Sequence, residues 1–236
     1  MMKQFIRQFR TIVLNSLVSE ISRKVKSSKL TYLSYQKLIN LENCIKDISR
    51  KNVPGNFIEA GVALGGSAIV ISTLMPKDRT FHGYDVFEMI PPPSTQDNEK
   101  AQKRYEVIKS GQSKGIGDDV YYGYLENLYE IVNKNLNNFG VNVDGNRICL
   151  HKGLFQDTMN FTPEDKVAMI HIDCDWYEPV YFCLNKIYPV LSTGGYIILD
   201  DYYDYGGCKK ATEEFLANYR DLTVVKDNSN LVLQRK

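Results

Sequence analysis

A chain of 236 residues, 43% hydrophobic and 24% charged, can bury a core without covalent staples and has the composition of an ordinary soluble protein. Its 29 Lys and Arg against 28 Asp and Glu leave a net charge of +1, too weak a field to single out nucleic acid as a partner. The five cysteines are odd in number and form no CxxC pair, which argues against a disulfide framework or a thiolate zinc site and suits a reducing cytoplasm; the three histidines, far apart in sequence, argue against an imidazole metal site.

In the opening stretch Phe5, Phe9, Ile12, Val13, Leu17 and Ile21 fall at helical spacing, with Lys3, Arg7, Arg10, Arg23, Lys24, Lys26 and Lys29 on the polar side. The pattern predicts an amphipathic helix docked on the domain or on another subunit, with contact to an anionic membrane surface as the sharper reading. Asn15 and Ser16 interrupt it too early for a bilayer span or a leader peptide. "TYLSYQKLINLENCIKDISRKN" predicts a second amphipathic helix, with Leu33, Leu38, Leu41, Ile45 and Ile48 on one stripe and "VPG" as its stop. Residues 1–50 are thus expected to form a helical extension, and 51–236 one domain.

From there strands and helices alternate. Strands are expected at 56–61 ("NFIEAG"), 80–86, 147–153, 167–173 and 195–201, with helices at 66–75, 124–140, 177–191 and roughly 207–219. "LTVVKDNSNLVLQRK" reads as two more strands around a tight polar turn. The order implies an α/β fold: a mostly parallel seven-stranded sheet, helices on both faces, and a C-terminal antiparallel hairpin. The segment 88–119 opens with three prolines and continues neither neighbour; it is expected to be a lid loop.

Ligands gather at the carboxyl ends of strands in such sheets, which places Glu59, Gly61, Asp85, Gly153, Asp173, Asp175, Asp200 and Asp201 on one rim. "EAGVALGGSA" lets the backbone pass close to a ligand and turns helix amides toward it, although a tight turn without a ligand would look the same. Its spacing is not GxGxxG and no Lys or Arg follows to meet a pyrophosphate. Asp85, ending the next strand, can hold ribose hydroxyls, and Glu59 can meet an amino group; S-adenosylmethionine has both and no phosphates.

"HIDCDWYE" and "ILDDYYDY" drive apolar runs straight into acids. Two carboxylates about 4 Å apart repel by roughly 4 kcal/mol at an effective dielectric of about 20, so a cluster needs protons or a cation. All-oxygen ligation by Asp173, Asp200 and Asp201 suits Mg²⁺ or another divalent cation. The plainer reading makes these aspartates helix caps. Asp175 is the expected general base and His171 its rival, although strand alternation puts His171 deeper in the sheet, as a core histidine. Tyr202, Tyr203 and Tyr205 either form a stacking wall for a sugar ring or pack internally.

From about Pro54 to Phe215 the chain resembles the macrocin O-methyltransferase family, cation-dependent enzymes that methylate sugar hydroxyls in antibiotic pathways. The shared stretches are "FIEAGVALGGSA", "YDVFEMIPPP", "HKGLFQDT", "HIDCDWYEP" and "LSTGGYIILDDYYDYGGCKKATEEF". The resemblance implies a Rossmann-like class I methyltransferase with S-adenosylmethionine at Glu59, Gly61, Ser67 and Asp85, and with Phe155, Gln156 and Asp157 near the adenine. It implies metal at Asp173, Asp200 and Asp201, Asp175 as base, a small sugar-containing acceptor, and a homo-oligomer with mobile lids. The expected activity is Mg²⁺-dependent methylation of a sugar hydroxyl on a glycosylated natural product or polysaccharide precursor. A catechol-like phenol acceptor and a non-catalytic cofactor-binding subunit are the alternatives; a nicotinamide dehydrogenase fits the glycine spacing worst.

Overall fold

The computed structural model describes residues 13–236, so Phe5, Phe9 and Ile12 of the opening pattern lie outside the described residues. Residues 13–17 are helical, but the expected single helix does not run on. Ser19 turns extended and its hydroxyl accepts the Ser22 amide, starting a new helix, α1 (Glu20–Ser27). Next, α2 (Tyr35–Lys51) is capped by Ser34 and buries Leu38, Leu41, Ile45 and Ile48, as the stripe predicts; Leu33 precedes the helix yet is buried with them.

The remaining elements are β1 (Asn56–Ala60), α3 (Gly66–Leu74), β2 (Phe81–Asp85), α4 (Glu99–Lys109), α5 (Leu128–Asn138), β3 (Ile148–Lys152) and the single turn α6 (Phe155–Thr158). They continue with β4 (Val167–Ile172), α7 (Tyr177–Ile187), β5 (Leu191–Leu199), α8 (Gly207–Leu216), β6 (Leu222–Asp227) and β7 (Leu231–Arg235). The sheet runs β3-β2-β1-β4-β5-β7-β6, parallel through β5, with β7 antiparallel to both neighbours. No described helix is long and apolar enough to cross a membrane.

The central strands are continuous apolar runs because both of their faces are covered. Phe57, Phe81, Met169 and Ile198 face one layer, where Val25 of α1, Leu41 of α2, Ile69 of α3 and Val132 of α5 complete the core. Ile58, Ile170 and Ile197 face the other, against Val180 and Leu184 of α7 and Phe215 of α8. The helices of the N-terminal stretch therefore share a core with the sheet.

The strand order reverses between β1 and β4, and the parallel ladder carries one residue past each strand end there. Asp173 N donates to Ala60 O at 2.8 Å, and Asp200 N to Ile172 O at 3.0 Å. Those bonds set the acids of β4 and β5 side by side at the crevice where ligands of open α/β sheets bind.

The segment 88–119 is more ordered than the expected loop. It contains α4, started by Asn98, whose side chain accepts the Ala101 amide at 3.0 Å. It is also tied down: Trp176 Nε1 donates to Pro91 O at 3.0 Å, and Asp97 Oδ1 accepts the Tyr177 amide at 2.8 Å.

Candidate active site

Two clefts open side by side above the strand ends and share Gly61, Asp85, Tyr122, Asp173, Asp175 and Trp176. The first, of about 790 Å³, is walled by Ile90, Pro91 and Pro92 on one side and Gly153, Phe155 and Gln156 on the other. Of the three residues expected near the adenine, Phe155 and Gln156 line this cleft, whereas Asp157 is exposed and lines neither. Gly61 adopts φ +92°, and a Cβ there would collide with the Asp173 carbonyl oxygen, so only glycine lets β1 turn this close to β4.

Several amides of the glycine turn are bonded inside the protein. Asp85 Oδ2 accepts Val62 N at 2.7 Å and Ala63 N at 3.1 Å, and Oδ1 accepts Phe87 N at 2.7 Å. The Gly66 amide donates to Leu30 O at 3.0 Å, so the first amide of α3 is taken within the protein. Asp85 still borders both clefts with its remaining lone pairs.

Glu59 and Ser67 lie beneath the cleft, not in its wall. Glu59 is fully buried, and its Oε1 meets His171 Nδ1 at 2.8 Å, the two residues being register partners on β1 and β4. Burial alone would lower the imidazole pKa, but Asp200 and Glu59 outweigh it and lift the group to about 10. His171 is fully buried between acids and lines neither cleft, which disqualifies it as a base. Its Nε2 lies 3.7 Å from Asp200 Oδ1.

Asp173, Asp200 and Asp201 each bring a carboxylate oxygen within 4.8 Å of the others. They do not cap helices: Asp97 takes the first amide of α7, and α8 starts from Gly206 without a side-chain cap. Burial and the neighbouring aspartates push Asp173 and Asp201 well above the usual carboxylate range. Burial works the same way on Asp200, but His171 and Lys37 hold it below that range. Asp200 Oδ1 and Glu59 Oε2 are buried without a hydrogen-bond partner. A crowded set of oxygens short of positive charge fits a hard divalent cation.

Asp175 sits at the mouth of this cluster with φ +57°, a left-handed backbone that Asp tolerates better than most residues, and its amide donates to Asp201 Oδ2 at 3.2 Å. Burial, then Asp200, pushes its carboxyl up to about 7. The second cleft, of about 960 Å³, surrounds it with Tyr32, Lys37, Arg104, Tyr121, Tyr122 and Tyr205. Of the tyrosine trio after Asp201, only Tyr205 lines the cleft; Tyr202 packs on the core and Tyr203 is half exposed.

Sequence reasoning passed over Tyr32, Lys37, Arg104, Tyr121 and Tyr122. They come from the N-terminal stretch and from 88–127, and carry no motif; only contact across the fold reveals them. Two of the histidines, far apart in sequence, are neighbours in the fold. His82 Nδ1 and His151 Nε2 meet at 3.0 Å across β2 and β3, near Cys149, as a pair kept neutral by burial.

Residues 20–228 match the family model described as macrocin-O-methyltransferase (TylF). The chain is 28% identical over 211 residues to the demethyldecarbamoylnovobiocin O-methyltransferase of Streptomyces niveus, covering 87% of this chain and 75% of that one. It is 28% identical over 201 residues to the mycinamicin III 3''-O-methyltransferase of Micromonospora griseorubida, covering 84% and 72%. The solved structure of the O-methyltransferase NovP superposes with a TM-score of 0.70 at 27% identity, over 87% of this chain and 82% of that one.

Proposed function

The chain belongs to the macrocin-O-methyltransferase family, and on that premise we propose that it transfers a methyl group from S-adenosylmethionine to a sugar hydroxyl of a glycosylated small molecule, with Mg²⁺ or a similar cation. The observation that carries this reading is the convergence of Asp173, Asp200 and Asp201 within 4.8 Å at the junction of two clefts. By their names the relatives above methylate demethyldecarbamoylnovobiocin and mycinamicin III, and a third, at 28% identity, a rhamnosyl-tetracenomycin, which supports a sugar-bearing acceptor here.

S-adenosylmethionine supplies an electrophilic sulfonium methyl, and a bound divalent cation acidifies a hydroxyl that ligates it. Asp173, Asp200 and Asp201 would hold the cation. Phe155, Gln156 and the Pro91–Pro92 wall enclose the nucleoside side. On the acceptor side Tyr122, Trp176 and Tyr205 give flat apolar faces that position a sugar ring and exclude water. Asp175, in both clefts, would accept the hydroxyl proton as the oxygen gains the methyl carbon and its bond to sulfur breaks, with S-adenosylhomocysteine leaving.

The test is methyl transfer from isotopically labelled S-adenosylmethionine to glycoside and catechol acceptors offered in parallel, with Mg²⁺ and with chelator. Label should appear on a glycoside hydroxyl only when the cation is present. Label on the catechol alone, or transfer undiminished in chelator, overturns the reading.

A further inference from the structure

The acid cluster already carries a positive charge of its own. Lys37, on α2, places Nζ 2.7 Å from Asp200 Oδ2 and 3.5 Å from Asp204 Oδ2, with its side chain only 14% exposed. Asp204 is 49% exposed, so the ammonium sits between a buried carboxylate and one at the cleft mouth. Lys37 lines the same cleft as Asp173, Asp200 and Asp201. A buried ammonium persists only when paired, and this one is paired with a residue assigned above to the cation. An ammonium and a divalent ion a few ångström apart repel too strongly for both to draw fully on one carboxylate.

Resting on the metal-dependent reading above, we infer that Lys37 is a tethered stand-in for the divalent ion: it neutralises the aspartate cluster while the ion is away, and yields Asp200 when the ion arrives by moving onto Asp204. The stand-in keeps the acids of β4 and β5 gathered before any metal is bound. It also lets α2, an element outside the strand rim, set the affinity of the metal site. Lys37 is a positioning residue in this scheme and touches no reacting atom.

Mn²⁺ titrated calorimetrically into the full chain, with no donor or acceptor present, reads this directly. Lys37→Met should bind Mn²⁺ roughly tenfold tighter than the wild type, because a competing cation is gone. In chelator the variant should melt below the wild type, and in saturating Mn²⁺ that deficit should vanish. Lys37→Gln carries the same expectation and serves if the methionine variant does not fold. Asp204→Asn should weaken Mn²⁺ binding in the wild-type background and matter little beside Lys37→Met, since it acts by denying the ammonium its second partner.

Equal or weaker Mn²⁺ binding by folded Lys37→Met or Lys37→Gln overturns the inference and leaves the metal site standing. An equal effect of Asp204→Asn in both backgrounds also overturns it, by reducing Asp204 to a distant charge. Failure of every one of these proteins to bind Mn²⁺ sinks the metal reading itself, and this inference with it.

Discussion

Asp200 has two oxygens in different circumstances: Oδ2 is held by Lys37 at 2.7 Å, and Oδ1 is buried without a hydrogen bond, 3.7 Å from the His171 ring. Replacing it with Asn keeps the shape and removes the charge that both cations answer. Asp200→Asn should abolish methyl transfer and Mn²⁺ binding while S-adenosylhomocysteine, read by calorimetry, still binds; retained transfer in chelator would count against the ion. Asp175→Asn is the cleaner probe of the base, because Asn accepts the left-handed backbone at φ +57° as readily as Asp. It should cut turnover by about 10² to 10⁴ at unchanged Mn²⁺ affinity. A loss below tenfold across the pH range would move the base elsewhere.

At the scale of elements, the N-terminal helices are fastened by one acid. Glu42 of α2 is 1% exposed and accepts Ser19 N at 2.9 Å, Ser19 Oγ at 2.7 Å and Ser22 Oγ at 2.6 Å, so α2 supplies an acceptor to the first turn of α1. Burial raises the Glu42 pKa, but the Ser19 and Ser22 bonds outweigh it and hold the carboxyl below the ordinary glutamate range. A depressed folded pKa means the stabilisation is complete above the ordinary glutamate pKa and is lost as the pH falls through the folded value. Glu42→Gln should therefore cost about 1–3 kcal/mol in urea denaturation near neutrality. The gap between the two proteins should narrow in acid; a gap independent of pH would show that the charge is not what matters. The same scale exposes a miss, because α4 was hidden in sequence behind Pro91–Pro93. Only Ala101 and Ile108 of that helix are buried, too few to write a periodic stripe.

At the scale of the whole molecule, the described part of the extension expected over residues 1–50, from residue 13 on, does not stand apart from the domain. Val25, Leu38, Leu41, Ile45 and Ile48 complete the core over one sheet face, and Tyr32 and Lys37 reach the second cleft. A chain beginning at residue 52 would expose that face, including Phe57 and Met169, to water. It should show no cooperative thermal transition by circular dichroism; a sharp transition would prove the extension separable.

Much of this was written along the chain. The alternation of apolar runs sets seven strands and their partners in local order, and both strand runs that end in acids could be read without coordinates, because ligands collect where parallel strands stop. The doubled aspartates at 200–201 and the pair 173 and 175 were legible because carboxylates crowded at the end of a buried run must be neutralised, by a proton or by a bound cation. Only the tertiary structure decided which polar groups pair across the sheet: that Glu59 turns to His171, that the Val62, Ala63 and Gly66 amides go to Asp85 and Leu30, and that Lys37 reaches Asp200. Such contacts join residues as far as 163 positions apart. No local propensity encodes them, since they exist only once burial has brought distant elements together and obliged each polar atom to find a partner.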